Sequence, residues 1–235
     1  MPVVDDGLRS MVNARDLGGL PLMGGGTTRE GMLLRSDAPY PGDAAPAGLA
    51  WPPSTVLDLR DVRESGAAGV HWPAGVRRIQ NPLFTNARMD RVLKIDLVDL
   101  YANMLATASD RIVAALGQFD PSGATLVHCA AGKDRTGVVI AIALTLAGVE
   151  PDAIVEDYQR TADAITGVYA RLASRRRLPG DVTLEDPIFR TPRAAIDVVL
   201  GEVAAADGGV WGWYAASGGD VDRFAAWLDR FRDRE

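Results

Sequence analysis

The residues with the clearest chemical potential in this 235-residue chain form the stretch HCAAGKDRTG at positions 128–137. Cys129 is the single cysteine of the chain, and five residues separate it from Arg135. Gly132 and Gly137 suit positions where the backbone turns tightly or approaches another group closely. An apolar, helix-like stretch begins at about Arg135. A lone thiol beside cations at the start of a predicted helix suits nucleophilic attack on an anion.

A loop of this length at a helix N-terminus can point its backbone N–H groups at one anion, and the helix dipole adds positive charge. The planar guanidinium of Arg135 matches two phosphate oxygens, which lysine cannot do. The same field favours the thiolate of Cys129 at neutral pH, and Thr136 can donate its hydroxyl to the sulfur. The predicted phosphate-binding residues are Ala130, Ala131, Gly132, Lys133, Asp134, Arg135 and Thr136. The predicted chemistry is in-line attack on phosphorus, a phosphocysteine intermediate and release by water.

Strands and helices alternate in the part of the chain that must position this loop. Aliphatic, β-branched segments bounded by Gly, Pro or Ser predict buried strands at 54–60, 75–83 and 124–129. The pattern predicts an α/β fold with a mainly parallel central sheet and helices on both faces. Ligands of such sheets bind at the carboxyl ends of strands, where segment 124–129 delivers the loop.

Helical patterns occupy most of the rest of the chain. The 3.6-residue period predicts a helix over 96–118, a second one ending at Gly148 and a third beginning at Pro151. Two amphipathic helices around a Gly/Trp-rich turn are predicted in a C-terminal helical part, 194–235. Residues 13–37 predict a hairpin or an irregular start, and 174–193 either a lid or a flexible connection. The length fits one domain over 1–235.

The loop CAAGKDR is a C-x5-R motif, and HCAAGKDRTG resembles the loop of the cysteine-dependent protein tyrosine phosphatases. More narrowly, the chain resembles the atypical bacterial protein tyrosine/lipid phosphatases, because NARDLGG, LLRSD, VLDLR and EDYQRT follow in that family's order. The resemblance covers roughly residues 13 to 231. It implies a three-layer protein tyrosine phosphatase-like fold with extra C-terminal helices, and Cys129 and Arg135 as catalytic residues.

The resemblance also bears on the substrate. Phosphotyrosine protein is the expected substrate, with phosphoserine, phosphothreonine and phosphoinositide as alternatives. Phosphoinositide 3-phosphatases commonly have a second lysine just after the cysteine, where this chain has Ala130. The loop by itself therefore does not favour a lipid substrate.

The general acid has two candidates, Asp134 on the loop and Asp58 at the end of a neighbouring strand. Lys133 and Arg135 beside Asp134 disfavour the protonated form that an acid needs, whereas a bound phosphate dianion opposes that effect. We favour Asp134 because the resembling family carries Asp there.

Other polar residues near the motifs have less specific predictions. His128 is expected to bond backbone and shape the loop, since adjacent strand residues point to opposite faces. Asn13, Arg15 and Asp16 are expected to form an opening turn held by side-chain hydrogen bonds. For Asp157 and Tyr158, packing against the loop and contact with substrate remain equal alternatives.

Composition excludes several function classes. The net charge of −6 offers no general basic surface, so no nucleic-acid partner is expected. No apolar run reaches the length of a membrane span, so no stable membrane insertion is expected. With two histidines and one cysteine, we expect no metal and no other cofactor. The expected location is the cytoplasm, with export without a signal peptide left open, as is the oligomeric state.

Two other functions fit parts of the same loop. A catalytically silent phosphate-binding module would use the anion cradle alone, but silent relatives usually lose the cysteine or the arginine. A persulfide sulfurtransferase also presents a cysteine in an anion-binding loop, but that loop is typically shorter and lacks the C-x5-R-T pattern.

Overall fold

A computed structural model describes residues 6–65, 70–84, 96–175, 177–178 and 180–233 of the chain. Arg176 and Pro179, within the segment predicted to be a lid or a flexible connection, lie outside the described residues. No helix in these ranges is long and apolar enough to cross a membrane.

A five-stranded sheet lies at the centre of the fold. Its strands are β1 (Arg15–Asp16), β3 (Leu33–Ser36), β4 (Thr55–Asp58), β5 (Arg77–Gln80) and β6 (Thr125–His128). Their spatial order is β1-β3-β6-β4-β5, in which only the edge pair β1 and β3 is antiparallel. The predicted mainly parallel sheet is therefore confirmed, and each of the three predicted strands lies within its predicted segment.

Eight α-helices are described beside this sheet. They are α1 (Val62–Ser65), α2 (Leu97–Leu116), α3 (Asp134–Ala147), α4 (Pro151–Gln159), α5 (Thr161–Ser174), α6 (Arg193–Ala205), α7 (Gly209–Ala216) and α8 (Val221–Phe231). Asp96 begins α2 because its side chain accepts a hydrogen bond from Val98 N, and Gly148 ends α3 in the left-handed conformation. A short antiparallel pair, β2 (Thr27–Thr28) with β7 (Arg232–Asp233), joins the N-terminal part of the chain to its last described residues.

The main hydrophobic core lies on one face of the sheet. Alternate strand residues Leu33, Leu57 and Val127 pack there with side chains of the helices, including most residues of the apolar helix α3. The other face buries a smaller cluster of Leu34, Val56, Ala124 and Leu126, and the side chains packed against it come from loops: Leu49, Trp51, Trp72 and Val76. Helix α3 is thereby fixed directly behind the end of β6.

Two local predictions need correction. The helix predicted from Pro151 is broken at Arg160 into α4 and α5. In a continuous helix the N–H of Thr161 would donate to the carbonyl of Asp157. Here the guanidinium of Arg15 donates to that carbonyl instead (2.7 Å). The predicted Gly/Trp-rich turn is in fact α7, because Trp211 and Tyr214 pack on Phe224 of α8 and this tertiary contact outweighs the low helix propensity of glycine.

Candidate active site

Cys129 follows the last residue of β6 and lies at the base of a cavity of about 360 Å³. It is 2% exposed. The chain then turns through residues 130–133 and enters α3 at Asp134, so the N-terminus of a 14-residue helix faces the same cavity. We call residues 129–135 the Cys129 loop. Its position at the carboxyl end of a central parallel strand is the one predicted for a ligand.

Three consecutive carbonyl groups of the Cys129 loop are bound from behind. Ala38 N donates to Ala130 O (3.1 Å), and Asn13 Nδ2 donates to Ala131 O and Gly132 O (3.0 and 3.2 Å). Arg35 Nη2 adds a second hydrogen bond to Gly132 O (2.8 Å). Because the carbonyl oxygens are held on the outer side, the N–H groups of the same peptides are left for an anion in the cavity.

The donors behind the loop are fixed by a buried carboxylate. Asp157 of α4 accepts from Arg15 Nε (2.6 Å) and from Arg35 Nη1 (2.5 Å), and all three side chains are at most 10% exposed. Burial alone would raise the pKa of Asp157, but the charges and hydrogen bonds of the two arginines lower it. The three sequence motifs that contain these residues therefore form one scaffold for the loop.

Gly132 is required by its surroundings. Its φ is +67°, a region that favours glycine, and a Cβ at this position would lie 2.2 Å from Ser36 O. The loop thus approaches the end of β3 more closely than any other residue type allows.

Arg135 lines the cavity together with Cys129. Its Nη1 and Nη2 donate to the two carboxylate oxygens of Glu64 in α1 (2.6 and 2.7 Å). Burial alone would lower the pKa of Arg135, but the hydrogen bonds to Glu64 and the charge of a Cys129 thiolate raise it. Glu64 therefore fixes the plane of a guanidinium that faces the anion site.

Asp134 also lines the cavity, whereas the side chain of Lys133 is turned away from it. Lys133 is 1% exposed, and its Nζ donates to Asp134 Oδ1 (2.6 Å) and to Arg190 O (3.0 Å). Asp134 Oδ1 also accepts from Tyr101 OH (2.9 Å). In this arrangement Lys133 supplies only its backbone N–H to the anion site.

Asp58 lies in a neighbouring cavity and does not line the one above Cys129. It accepts two side-chain hydrogen bonds from Arg60 (2.9 and 2.7 Å), and His128 Nδ1 is 3.8 Å from its Oδ1. Burial alone would raise the pKa of Asp58, but His128 and Arg60 lower it. Both its place and its charge state suit an ion pair better than a proton donor.

The cavity walls are largely apolar. Phe84, Leu100 and Met104 contribute on one side, and Leu172 of α5 contributes with Leu178 and Phe189 on another. Leu178 and Phe189 belong to the segment predicted as a lid or connection, and Phe189 packs edge-on against Tyr169 (5.3 Å between ring centroids).

The sequence predictions and the observed positions agree in part. The structure brings Cys129, Ala130, Ala131, Asp134 and Arg135 together at the cavity. The backbone of Gly132 belongs to the same loop. Thr136 is fully buried, but its Oγ1 has no hydrogen-bond partner among the described residues, so the predicted hydrogen bond to the Cys129 sulfur is not formed in this structure.

The contacts of the other polar side chains near the motif agree only in part with their sequence predictions. His128 Nδ1 lies 3.2 Å from Cys129 O, and Asp16 accepts from Gly18 N and Gly31 N, as predicted for a backbone contact and an opening turn. Asn13 and Arg15 reach the loop scaffold instead of serving only a turn.

Sequence reasoning missed Glu64, Arg35 and Tyr101 as parts of the site. Arg35 carried a usable signal, because a charged residue inside the buried strand LLRS requires a buried partner. Glu64 and Tyr101 lie in a short turn-like helix and on a regular helix face, where no local pattern marks them.

A cysteine below a row of loop N–H groups, with an arginine at the first turn of the following helix, is an arrangement that suits the binding of a tetrahedral oxyanion. The family whose sequence model matches residues 7–232 is described as the tyrosine phosphatase family. The chain belongs to this tyrosine phosphatase family.

Individual relatives agree with that membership. The triple specificity protein phosphatase PtpB of Mycobacterium tuberculosis is 37% identical over 95 residues, which are 40% of this chain and 33% of that protein. A Cupriavidus necator protein, H16_A0669, provisionally named a tyrosine-protein phosphatase, is 30% identical over 221 residues, 84% of this chain and 78% of that protein. A tyrosine-protein phosphatase of Nostoc commune is 33% identical over 87 residues, 32% of this chain and 30% of that protein. The matches to the first and third relatives thus span about a third of their length.

Proposed function

We propose that the chain hydrolyses phosphomonoesters through a phosphocysteine intermediate, with phosphotyrosine protein as its main substrate. The observation that carries this proposal is the placement of Cys129 at the base of the cavity, below a loop in which the carbonyls of Ala130, Ala131 and Gly132 are bound from outside. A phosphate bound by the loop N–H groups and Arg135 would present its phosphorus to the sulfur.

In the first step, Cys129 Sγ attacks phosphorus while the bond from phosphorus to the leaving oxygen breaks. The leaving oxygen takes its proton from Asp134, which lines the same cavity. In the second step, the oxygen of a water molecule attacks phosphorus while Asp134 accepts a proton from that water. The bond from phosphorus to Cys129 Sγ breaks, which releases inorganic phosphate and restores the thiolate. The loop N–H groups and Arg135 hold the equatorial oxygens in both steps.

The apolar walls support an aryl phosphate as the main substrate. Phe84, Leu100 and Phe189 offer contacts to an aromatic ring, which a serine phosphate lacks. The name of the M. tuberculosis relative includes triple specificity. For this chain we therefore propose phosphoserine, phosphothreonine and phosphoinositide as slower substrates. Position 130 is alanine, so the chain lacks the second lysine that would favour a multiply phosphorylated inositol ring.

The test is a phosphate-release panel of a phosphotyrosine peptide, a phosphoserine peptide and a phosphoinositide. Cys129→Ser is expected to abolish turnover and keep phosphate affinity, because a hydroxyl replaces a thiolate while the cradle remains. Arg135→Lys is expected to cripple turnover by losing the two-point contact. Hydrolysis by purified Cys129→Ser protein would refute the cysteine mechanism, and phosphate binding without turnover by the unmodified chain would favour the silent module.

The assignment of the acid has its own test. Asp134→Asn is expected to slow alkyl phosphates by about 10²–10⁴-fold and an aryl phosphate with an acidic leaving group much less. Asp58→Asn is the matched control, because Asp58 is the neighbouring carboxylate in the other cavity. If the leaving-group dependence follows Asp58 instead, the two roles are exchanged. Because the proposed mechanism uses no metal ion, a chelator is expected to leave the rate of hydrolysis unchanged. The cytoplasmic location stays a prediction, which cell fractionation can check.

A further inference from the structure

The carboxylate of Asp134 is held through one of its two oxygens. Oδ1 accepts from Lys133 Nζ (2.6 Å) and from Tyr101 OH (2.9 Å). Among the described residues, Oδ2 has no hydrogen-bond donor. A proton on Asp134 is therefore favoured on Oδ2, because the lone pairs of Oδ1 already accept two hydrogen bonds.

Tyr101 reaches this carboxylate from outside the cavity. It is fully buried on α2, and its chain neighbours Leu100 and Met104 line the cavity while Tyr101 does not. Its hydroxyl lies 2.9 Å from Tyr158 OH on α4. Since the single hydroxyl proton of Tyr101 goes to Asp134, Tyr158 must donate to Tyr101. The order of donation is therefore Tyr158 to Tyr101 to Asp134.

Tyr101 keeps its hydroxyl proton at neutral pH. Burial, the charge of Asp134 and the neighbouring Tyr158 raise the pKa of Tyr101 well above its usual value. Tyr101 therefore stays a phenol, and it can donate to Asp134 Oδ1 whether or not Oδ2 carries a proton.

We propose that Tyr101 is a positioning residue for the general acid: by holding Oδ1, it turns Oδ2 toward the leaving group as the atom that gives and later takes the proton. This inference rests on the proposed function, in which Asp134 is the acid. As the bond from phosphorus breaks, the proton moves from Oδ2 to the leaving oxygen, and the negative charge left on the carboxylate is stabilised by both donors at Oδ1. In the second step Oδ2 takes the proton back from the attacking water.

The experiment compares Tyr101→Phe with Tyr158→Phe, each of which loses one hydroxyl from the same buried pair. Only Tyr101→Phe removes a donor from Asp134. For each variant, kcat/KM is measured with one aryl phosphate that has an acidic leaving group and one phosphate ester that has a basic leaving group. The ratio of the two values is taken on a single sample, so any inactive fraction cancels.

Tyr101→Phe is expected to lower kcat/KM about tenfold for the basic leaving group, as fits the loss of one hydrogen bond to a charged group, and to change the acidic one little. The fall in rate with rising pH is expected to move to higher pH, because removing a donor favours the protonated carboxyl while Lys133, Arg135 and Tyr158 still face it. Tyr158→Phe is expected to leave the ratio near its original value. Tyr101→Met, which also lacks a donor, is the second variant if the phenylalanine protein does not fold.

Equal slowing of both esters by Tyr101→Phe, with an unchanged pH profile, would show a structural role and overturn the inference. That outcome leaves the proposed function standing when Asp134→Asn still discriminates between the leaving groups. If Asp134→Asn itself does not discriminate, the acid assignment fails, and the inference about Tyr101 falls with it.

Discussion

Asn13 contacts the Cys129 loop across a separation of 118 residues in the chain. Its side-chain amide donates to two loop carbonyls, its Oδ1 accepts from Arg15, and its own N–H donates to Asp37. Asp37 is in turn paired with Arg171 of α5 (2.7 Å). Few side chains besides an amide combine two donors with an acceptor at this length, so the residue type is dictated by the loop.

Asn13→Ala is therefore expected to weaken vanadate binding and kcat/KM. Two hydrogen bonds of about 1 kcal/mol each correspond to a loss of roughly ten- to thirtyfold. The matched control is Asn81→Ala, because Asn81 Nδ2 also donates to a backbone carbonyl, that of Arg111 (2.9 Å), away from the loop. The control is expected to lower stability and leave vanadate affinity unchanged. Equal losses of affinity in both variants would contradict a specific role for Asn13.

At the scale of elements, the site depends on how closely the Cys129 loop packs on the end of β3. A comparison of Gly132 with Gly148 separates backbone strain from steric overlap. Both residues have positive φ (+67° and +74°), but only at Gly132 would an added Cβ overlap a neighbouring atom. Gly148→Ala is expected to cost about 1–2 kcal/mol of unfolding free energy, from backbone strain alone. Gly132→Ala must in addition displace Ser36 O from 2.2 Å, which moves the loop away from β3.

We therefore expect Gly132→Ala to lose phosphate binding and Gly148→Ala to retain it. Urea unfolding gives the stability of each variant, and titration with inorganic phosphate gives its affinity. Phosphate binding by Gly132→Ala at the affinity of the unmodified protein would show that the loop does not need its close contact with β3.

The elements were predictable where local pattern decides the structure. The strand before Cys129 and the apolar helix after it follow from β-branched composition and from Gly148 as a stop signal. The break at Arg160 was not predictable, since its cause is a donor from Arg15 at the far end of the chain. The hydrogen bonds from Asn13 and Arg35 to the loop carbonyls were not predictable either, because they join residues far apart in sequence and leave no periodic pattern in it.

At the scale of the whole molecule, Asp157 joins segments that are far apart in sequence. It pairs with Arg15 and Arg35, which lie 142 and 122 residues away on β1 and β3, and Arg35 continues to the Cys129 loop. Both arginines are buried, and among the described residues Asp157 is the one carboxylate that compensates their charges. The stability of the fold and the shape of the site are thus coupled through one ion-pair network.

The pKa of Asp157 is lowered in the folded protein, and this sets the sign of a pH dependence. A carboxyl with a depressed folded pKa contributes stability above its unfolded value of about 3.9 and loses that contribution as the pH falls through the folded value. Asp157→Asn keeps the shape and removes the charge. It is expected to lower the unfolding free energy by about 3–5 kcal/mol at pH 7, because two buried arginines lose their partner.

The gap between Asp157→Asn and the unmodified protein should begin to narrow below about pH 4, where the carboxyl becomes neutral in the unfolded chain, and should close as the pH falls through the lower folded pKa. Urea unfolding at pH 7, 5, 4 and 3 measures this gap. Asp152→Asn is the control, since Asp152 pairs with Arg193 at the surface and its side chain is 79% exposed, so little change is expected at any pH. A gap for Asp157→Asn that stays constant from pH 7 to pH 3 would mean that packing of the carboxyl group, and not its charge, holds the network together.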